Sequence, residues 1–402
     1  MALLSVAEAR ARVLAGVTAL AGETVPLALA DGRTLAEDLA ARRTQPPFRA
    51  SAMDGYALRA GDATEGAVLH VIGEAPAGRA FAGHIGTGET VRIFTGAPVP
   101  DDADAVLIQE NAEMLDDGRM RVLTPVAIGR NIRPAGLDFA TGDLLLPRGT
   151  RLSWRTLALA AAMDYPTVPV VRRPRVAILA TGDELVRPGD AAGPDQIVAS
   201  NAYGLAAFVN AHGGEAIDLG IVSDRRDDLI ARIGAALADA PDVLVTLGGA
   251  SVGDHDLVHE TLGRLGLDLG FWKVAMRPGK PLMFGQIGST RVLGLPGNPV
   301  SSLVGTVLFV GPLLAALQGR DAEAEPRLVT ARLGAGLAAN DSRADYLRAT
   351  FETGSDGVPV ATAFAQQDSS MLRRFAGCSC LILRPPHAAA ADAGSIVRII
   401  PL

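Results

Sequence analysis

The stretch DVLVTLGGASVGDHDLVHETLGRLG, residues 242–266, places a strand, a loop and a helix in immediate succession. Its first six residues are mostly apolar and β-branched, which predicts a buried strand at 242–247. Two glycines open a loop of small and acidic residues, and the amphipathic run 256–266 predicts a helix. A strand that leads through a short loop into a helix is the repeating unit of α/β domains.

The same alternation extends outward from residue 174 to residue 318. Further strands are predicted at 175–180, 215–222, 271–276, 282–287 and 291–295, and further helices at 201–213, 224–240 and in the apolar stretch that ends near 319. Because these strands are short and continuously apolar, we expect a mostly parallel, doubly wound sheet with helices on both faces. The uncharged stretch 292–319 contains two serines, a threonine and Pro312, so we expect a helix buried in this domain rather than a membrane span.

The regions on either side have a different composition. Residues 20–150 are rich in Gly and Pro with short apolar runs, and after Pro326 five short runs predict a small β-barrel or sandwich. We therefore expect an α/β multidomain protein. Its predicted parts are an N-terminal region at 1–170 with a β-rich insertion at about 45–140, an α/β domain at 171–320 and a C-terminal β domain at 326–402.

The composition limits the partners and the compartment. The net charge of −7 over 402 residues argues against nucleic acid or an anionic membrane as the main partner. Two cysteines, Cys378 and Cys380, are too few for a disulfide framework, and Glu8 and Arg10 interrupt any secretory signal segment. We expect a cytoplasmic protein.

Five loops with unusual sequences follow the predicted strands, and in a parallel sheet such loops emerge at one edge, where ligands bind. They are TGDEL at 181–185, SDRR at 223–226, GGASVGDHD at 248–256, RPGKP at 277–281 and LPGNP at 295–299. Glycines turn backbone N–H groups toward an anion, and helix N-termini reinforce them. Gly248, Gly249, Ser251 and Lys280 are thus predicted to hold a phosphate or another oxyanion.

The same edge collects five acids, which are Asp183, Glu184, Asp224, Asp254 and Asp256. Carboxylates beside a phosphate repel it unless a cation lies between them, and Mg²⁺ takes such positions with one or two carboxylates, phosphate oxygens and water. The predicted ligand is a phosphate ester or anhydride bound with Mg²⁺. A single loop of this kind is more often only a turn or a helix cap, and it is the occurrence of five on one edge that favours a site. None of the loops matches the GxGxxG or GxxxxGK[ST] patterns.

Seven motifs that occur in order along the chain together resemble the molybdopterin molybdenumtransferase family, to which the C-terminal domain of gephyrin belongs. They are SAMDGYA, IFTGAPVP, NIRPAGLD, TGDEL, TLGGASVGDHD, RPGKPL and LGLPGNPVSS. The resemblance runs from about residue 5 to the C-terminus. It implies an elongated homodimer with a molybdopterin-binding α/β domain, a β-rich insertion, a C-terminal β-barrel and an active site shared between subunits.

The resemblance also implies a reaction and a set of site residues. Molybdate would be inserted into the dithiolene of adenylylated molybdopterin, with Mg²⁺ assisting cleavage of the adenylyl anhydride and AMP released, and molybdopterin adenylyltransferase would be a partner. The catalytic residues would be Asp54, Thr95, Glu184, Asp256 and Lys280, with Asp256 and Glu184 as metal ligands. The pterin and phosphate residues would be Asp183, Asp224, Gly248, Gly249, Ser251, Pro296, Asn298 and Pro299. The molybdate residues would be Ser251, Arg277, Lys280, Arg348 and Ser370, with Ser369 as the alternative serine.

Two departures from the family pattern and two other function classes stay open. Arg277 replaces the usual lysine of KPGKP, and Leu137 stands where an acid is common in NIRPAGLD. A binding module or scaffold without catalysis would not need metal-placing carboxylates. A phosphate-transferring α/β enzyme with an unrelated substrate would not need the motifs at 48–59 and 92–100. The sequence does not separate molybdate from tungstate.

Overall fold

A six-stranded sheet forms the centre of the computed structural model, which describes residues 3–249, 257–323 and 325–402. In spatial order its strands are Glu215–Val222, Arg175–Thr181, Val243–Leu247, Thr290–Leu295, Met283–Ile287 and Asp268–Trp272. The first four are mutually parallel, whereas the last two pairings are antiparallel. One of these two pairings is a tight hairpin that turns at Gly288. The expected mostly parallel sheet is confirmed.

Side chains alternate between the two faces of this sheet, and helices cover both. Val176, Ile178, Val243 and Val245 point into one core with the helices Asn201–Ala211 and Pro299–Leu317, whose central residues 306–310 are π-helical. Ala177, Leu179 and Leu244 point into the other core with the helices Arg226–Ala238 and Leu257–Arg264. The sheet is therefore doubly wound, as expected.

The helix Pro299–Leu317 is long and apolar enough to cross a membrane, with a mean hydropathy of 2.1. However, 83% of its apolar window is buried inside the protein, mainly against the central sheet. The prediction of a core helix is confirmed.

The predicted strand at 271–276 is wrong in its bounds. The edge strand ends at Trp272, and Lys273 has a φ of 136°, in the region that strands do not use. The next residues turn away from the sheet, and Met276–Arg277 pair with the C-terminal domain instead. The apolar run predicts one strand, but Val274 forms a bridge with Leu4 and Met276 pairs with Ala344 of the C-terminal domain.

The N-terminal region consists of a helix and a projecting arm. The helix Val6–Leu14 carries a capping box of Ser5 and Glu8, and its Ala9 and Val13 pack into the core of the α/β domain. The arm starts and ends with the antiparallel strands Gly22–Pro26 and Thr167–Val171. It also contains the paired strands Leu39–Ala40 and Leu144–Leu146 and the helix Trp154–Ala162, with an apolar core of its own.

A second, β-rich unit is inserted into this arm and is closed by a bridge between Gln45 and Phe139. Its six-stranded sheet has apolar clusters on both faces. The strands are Gly55–Leu58, Val68–Ala75, Glu89–Ile93, Ala105–Ile108, Ala112–Met114 and Arg119–Val122. The strands Ala50–Ser51 and Ile132–Arg133 pair beside it.

The C-terminal domain is a closed five-stranded barrel. Its strands are Val329–Leu333, Ala344–Thr353, Pro359–Ala363, Cys380–Arg384 and Ile396–Pro401. Closure follows because the long strand Ala344–Thr353 pairs on one edge with Pro359–Ala363 and on the other with Cys380–Arg384. The five predicted strands and the barrel are confirmed, and both cysteines are free.

Candidate active site

A cleft of about 860 Å³ opens at the carboxyl edge of the central sheet. Three helices have their N-terminal residues in its wall, at Asn201, Leu257 and Pro299. The first N–H groups of a helix have no partner within the helix, and the helix dipole makes this end positive. Three such ends around one cleft favour an anionic ligand.

The floor of the cleft is made of backbone that only glycine can form. Gly248 has a φ of 95°, and a Cβ there would lie 2.7 Å from the carbonyl oxygen of Thr181. Gly249 has a φ of 63°, and its Cβ would meet Val258. The hydroxyl of Thr181 is buried beside these glycines and has no hydrogen-bond partner within the described residues. The floor thus offers a polar group that a bound ligand could satisfy.

Three carboxylates gather at one side of the cleft. The backbone N–H of Asp224 donates to Oδ1 of Asp183 over 3.1 Å, and Glu184 and Asp224 line the cleft. Partial burial, together with the charges of Asp183 and Glu184, raises the pKa of Asp224 above its usual value. This side carries an excess of negative charge, which a cation would relieve.

The carboxylates of the cleft are of the kind that usually bind Mg²⁺ in proteins. Within the described residues, no group of three or more His, Cys, Asp or Glu side chains forms a complete metal site. Mg²⁺ rarely needs one, because it binds through one or two carboxylates with phosphate oxygens and water. Glu184 and Asp224 line the cleft and carry carboxylates of this kind, and the helix ends lie in the same cleft.

One wall of the cleft was missed by the sequence analysis. Residues 197–202 line it, and Asn201 donates its side-chain N–H to the carbonyl of Gly297 over 2.7 Å. Ile197 is 60% exposed and Tyr203, on the next turn, is 56% exposed. The signal was available, since the helix that begins at 201 follows a strand of the sheet and must start at the carboxyl edge.

The C-terminal domain contributes Ser370 and Leu372 to the cleft, and the preceding loop 364–370 is anchored to the barrel. Gln367 binds both backbone groups of Arg348, each over 2.9 Å, which fixes the loop to the barrel strand. Ser369 accepts a hydrogen bond from the Asn298 side chain over 3.1 Å, and its carbonyl accepts one from Val300. Ser370 lines the cleft and donates its hydroxyl to Asp368. Of the two candidate serines, Ser370 faces the cleft and Ser369 joins the two domains.

Arg348 is a buried cation with unused hydrogen-bonding capacity. It is only 2% exposed, and its Nη2 has no hydrogen-bond partner within the described residues. Burial lowers the pKa of Arg348, and the nearby carboxylates Asp345 and Asp368 oppose that effect. Its Nη1 donates to the carbonyl of Tyr346 over 3.4 Å, whereas the unsatisfied Nη2 costs free energy that a bound anion could recover. Arg348 is not among the described residues that line the cleft.

The two cations of the RPGKP loop differ in their surroundings. Lys280 is exposed and precedes Pro281, which lines the cleft. Arg277 instead points to the barrel, where Asp345 and Asp341 form ion pairs with it. The side chains of Asp345, Asp341 and Asn340 therefore hold the Arg277 guanidinium.

Asp54 and Thr95 form a pair at the edge of the inserted sheet. Oδ1 of Asp54 accepts hydrogen bonds from both the backbone N–H and the hydroxyl of Thr95, each 2.7 Å long. These bonds lower the pKa of Asp54, with a smaller contribution from Arg92. Among the described residues, neither Asp54 nor Thr95 lines the cleft of its own chain.

The structure thus brings most of the candidate residues of the α/β domain to one cleft. Glu184, Asp224, Gly248, Gly249, Pro296, Asn298, Pro299 and Ser370 line it. Asp183 touches Asp224, and Lys280 adjoins the cleft through Pro281. Ser251, Asp254 and Asp256 lie outside the described residues. Gln367, Asp345 and the wall at 197–202 are additions that the sequence analysis did not contain.

Three family models match the chain in succession. Residues 4–163 match the MoeA N-terminal region (domain I and II), residues 177–316 match a "Probable molybdopterin binding domain", and residues 330–402 match the MoeA C-terminal region (domain IV). Two curated relatives are named molybdopterin molybdenumtransferase. The one from Haemophilus influenzae is 34% identical over 94% of this chain and 93% of its own. The one from Nostoc is 39% identical over 81% of this chain and 76% of its own.

Solved structures agree with these matches over the whole chain. A molybdopterin biosynthesis MoeA protein from Pyrococcus horikoshii superposes with a TM-score of 0.84 at 27% identity, covering 100% of both chains. A second structure from that organism has a TM-score of 0.82 at 32% identity, covering 100% of this chain and 99% of the other.

Proposed function

The chain belongs to the molybdopterin molybdenumtransferase family of molybdenum cofactor biosynthesis, and from this premise we propose the following reaction for its cleft. The two dithiolene sulfurs of adenylylated molybdopterin displace two oxygens of molybdate as water, with protons from the thiols and the solvent, while one water hydrolyses the adenylyl anhydride and AMP is released. The observation that carries this proposal is the convergence of three helix N-termini and three carboxylates on one cleft. Helix N-termini bind phosphate oxygens. Carboxylates beside a phosphate repel it unless a cation such as Mg²⁺ lies between them.

The cleft provides different surfaces for the different parts of this substrate. The N-termini at Asn201, Leu257 and Pro299 suit the phosphates, and the exposed apolar wall with Ile197 suits a flat ring system. Gly248 and Gly249 let the backbone approach the ligand closely. Glu184 would hold Mg²⁺ together with Asp256, the second ligand that the family resemblance implies, and the bound ion would neutralise charge on the anhydride phosphates.

The oxyanion is proposed to bind on the barrel side of the cleft. Molybdate is a dianion, and its approach to an anionic nucleotide ester needs cations nearby. Arg348 has a buried, unpaired Nη2, Ser370 has a hydroxyl at the cleft, and Lys280 has an exposed ammonium group. Ser251 would act with them by the family resemblance. Holding molybdate here would replace a bimolecular encounter with a local one.

The remaining part of the proposal is a homodimer in which Asp54 and Thr95 complete the partner's cleft. Their position outside the cleft of their own chain is compatible with this assignment. We further propose a cytoplasmic location and molybdopterin adenylyltransferase as the supplier of the substrate. Among the described residues, the one apolar helix that could span a membrane is buried in the fold.

The direct test is an assay of AMP release with purified protein, adenylylated molybdopterin, molybdate and Mg²⁺. We expect turnover that needs all three components and that falls about 100-fold or more in Asp256→Asn and in Glu184→Gln. Tight binding of the substrate with no AMP release under any of these conditions would favour a binding module. Release of AMP that ignores molybdate would favour a phosphate-transferring enzyme of another kind.

A further inference from the structure

We propose that Arg277 is a positioning residue: with Asp345 it clamps the loop of residues 277–281 to the barrel, so that Lys280 and Arg348 face the same oxyanion. The identity of that oxyanion rests on the proposed function. The clamp itself rests on contacts within this chain. It assigns Arg277 a task that differs from direct binding of molybdate.

The guanidinium of Arg277 is already used by three side chains of the barrel. Its Nε and Nη2 donate to Oδ2 of Asp345 over 3.0 and 2.5 Å, and its Nη1 donates to Asp341 over 3.2 Å. Its Nη2 also donates to the side-chain Oδ1 of Asn340 over 3.1 Å. Two carboxylates thus balance its charge, and few N–H groups are left for a ligand.

The barrel side of this contact is rigid. The amide of Asn340 donates to the carbonyls of Arg343, Arg384 and Pro385 over 2.8, 3.1 and 2.9 Å. Asp341 accepts hydrogen bonds from Arg343, and Asp345 is only 5% exposed. A side chain that binds this platform is therefore held in one place.

The loop that carries Arg277 is closed, so its anchor also sets the position of Lys280. Lys273 donates its backbone N–H to Leu282 over 3.1 Å, and Val274 donates to Lys280 over 3.0 Å. Between these bonds Met276–Arg277 pair in parallel with Ala344–Asp345 of the barrel. Arg277 fixes the far side of the loop, and Lys280 and Pro281 return from it to the cleft.

Asp345 also acts on Arg348, which lies on the same barrel strand. Its hydrogen bonds and, to a smaller extent, its charge raise the pKa of Arg277, and its charge partly offsets the lowering of the pKa that burial causes in Arg348. The two arginines nevertheless differ, since Arg277 is occupied while Nη2 of Arg348 has no partner among the described residues. One carboxylate thereby holds the loop and leaves the other guanidinium available for an anion.

Asp345→Asn distinguishes a clamp from direct binding of the oxyanion by Arg277, because the two roles predict opposite changes in the affinity for molybdate. If Arg277 binds the oxyanion, removing a nearby negative charge frees it, and molybdate binds as tightly or more tightly. If Arg277 is a clamp, the loop loosens, and the affinity for molybdate falls about 10- to 100-fold. Isothermal titration of the full-length protein with molybdate measures this directly. The KM for molybdate in the AMP assay should rise in parallel while the KM for the pterin substrate changes little.

A second measurement does not depend on the proposed function. Hydrogen exchange at the amides of Lys273 and Val274 reports closure of the loop, and we expect faster exchange in Asp345→Asn and in Arg277→Gln. The double variant should exchange no faster than either single one, since both break the same contact. Asp356→Asn is the matched control, because it breaks the Arg332–Asp356 ion pair elsewhere in the barrel.

The outcomes separate the clamp from the proposed reaction. Unchanged exchange in Asp345→Asn, or molybdate binding at least as tight as in the wild type, overturns the clamp. A wild-type protein that binds no molybdate overturns the proposed oxyanion, while faster exchange in the variants would still support the clamp.

Discussion

In the proposed reaction, Arg348 would favour function at the expense of stability. Its guanidinium is taken out of water, yet Nη2 lacks a protein partner among the described residues. A buried polar group without its hydrogen bond costs about 1–3 kcal/mol. The fold tolerates that cost in the free protein, and an oxyanion would remove it.

Replacing Arg348 with methionine should therefore stabilise the free protein and abolish its oxyanion site. Buried charges replaced by apolar side chains of similar volume often give proteins of equal or greater stability. We expect the free energy of unfolding of Arg348→Met to match or exceed that of the wild type, measured by urea denaturation. Molybdate should no longer raise the melting temperature of the variant. A variant that is strongly destabilised and still stabilised by molybdate would contradict the role given to Nη2.

At the scale of elements, the turn after the strand Val243–Leu247 depends on a glycine with no room for a side chain. Gly248→Ala would meet the Thr181 carbonyl, in addition to the unfavourable φ. Gly266 has a similar φ of 90°, with no atom within 4 Å of an added Cβ. We expect Gly266→Ala to cost about 1–2 kcal/mol of stability. Gly248→Ala should cost more and should also weaken binding of the pterin substrate, as measured by calorimetry.

The contribution of Tyr346 to the free energy of unfolding should depend on pH in the alkaline range. Burial raises the pKa of Tyr346 from 10.0 to about 12 in the folded protein. The stability that goes with its neutral phenol is complete below pH 10 and is lost as the pH rises through about 12. Relative to Tyr346→Phe, the wild type should lose about 2 to 3 kcal/mol over that interval. Urea unfolding at several pH values measures the difference, and a constant difference would contradict the assignment.

The sequence correctly predicted strands that are buried by helices of their own domain. It did not predict the bounds of a segment whose neighbours come from elsewhere in the chain. The strands at 175–181 and 243–247 are covered on both faces by helices of their own domain, so an apolar run is enough to identify them. Val274 and Met276 are also buried, but the segment has left the sheet and lies against the barrel. No local pattern distinguishes these two cases.

The residues of the candidate site likewise fall into those that the sequence predicts and those that only the folded structure reveals. Gly248 and Glu184 follow strands directly, so the topology alone brings them to one edge. The partners of Arg277 lie 64 and 68 residues further along the chain, at Asp341 and Asp345. The hydrogen bonds between the Gln367 side chain and the backbone of Arg348 likewise depend on how the barrel folds. Such contacts follow only from the folded structure.

At the scale of the whole molecule, the proposed dimer makes a quantitative prediction. Asp54→Ala and Glu184→Gln should each be inactive, because one removes a group given to the partner and the other a group of the cleft. When the two variants are mixed and exchange subunits, about half of the dimers are mixed, and each has one intact site of two. About a quarter of wild-type activity in the AMP assay should return. No recovery after verified exchange would place both residues in the site of the same chain.

The arm joins the rest of the chain through two neighbouring strands, since Gly22 pairs with Val171. The helix Val6–Leu14 before it and the sheet after it share one core, so the chain leaves that core and re-enters it at almost the same point. About 150 residues, from Gly22 to Val171, are therefore connected to the rest of the chain by two adjacent strands. Evolution could lengthen, shrink or exchange such an appendage without rerouting the chain through the catalytic core. In the proposed dimer, the residues that this appendage offers to the partner could therefore change independently of the cleft that receives them.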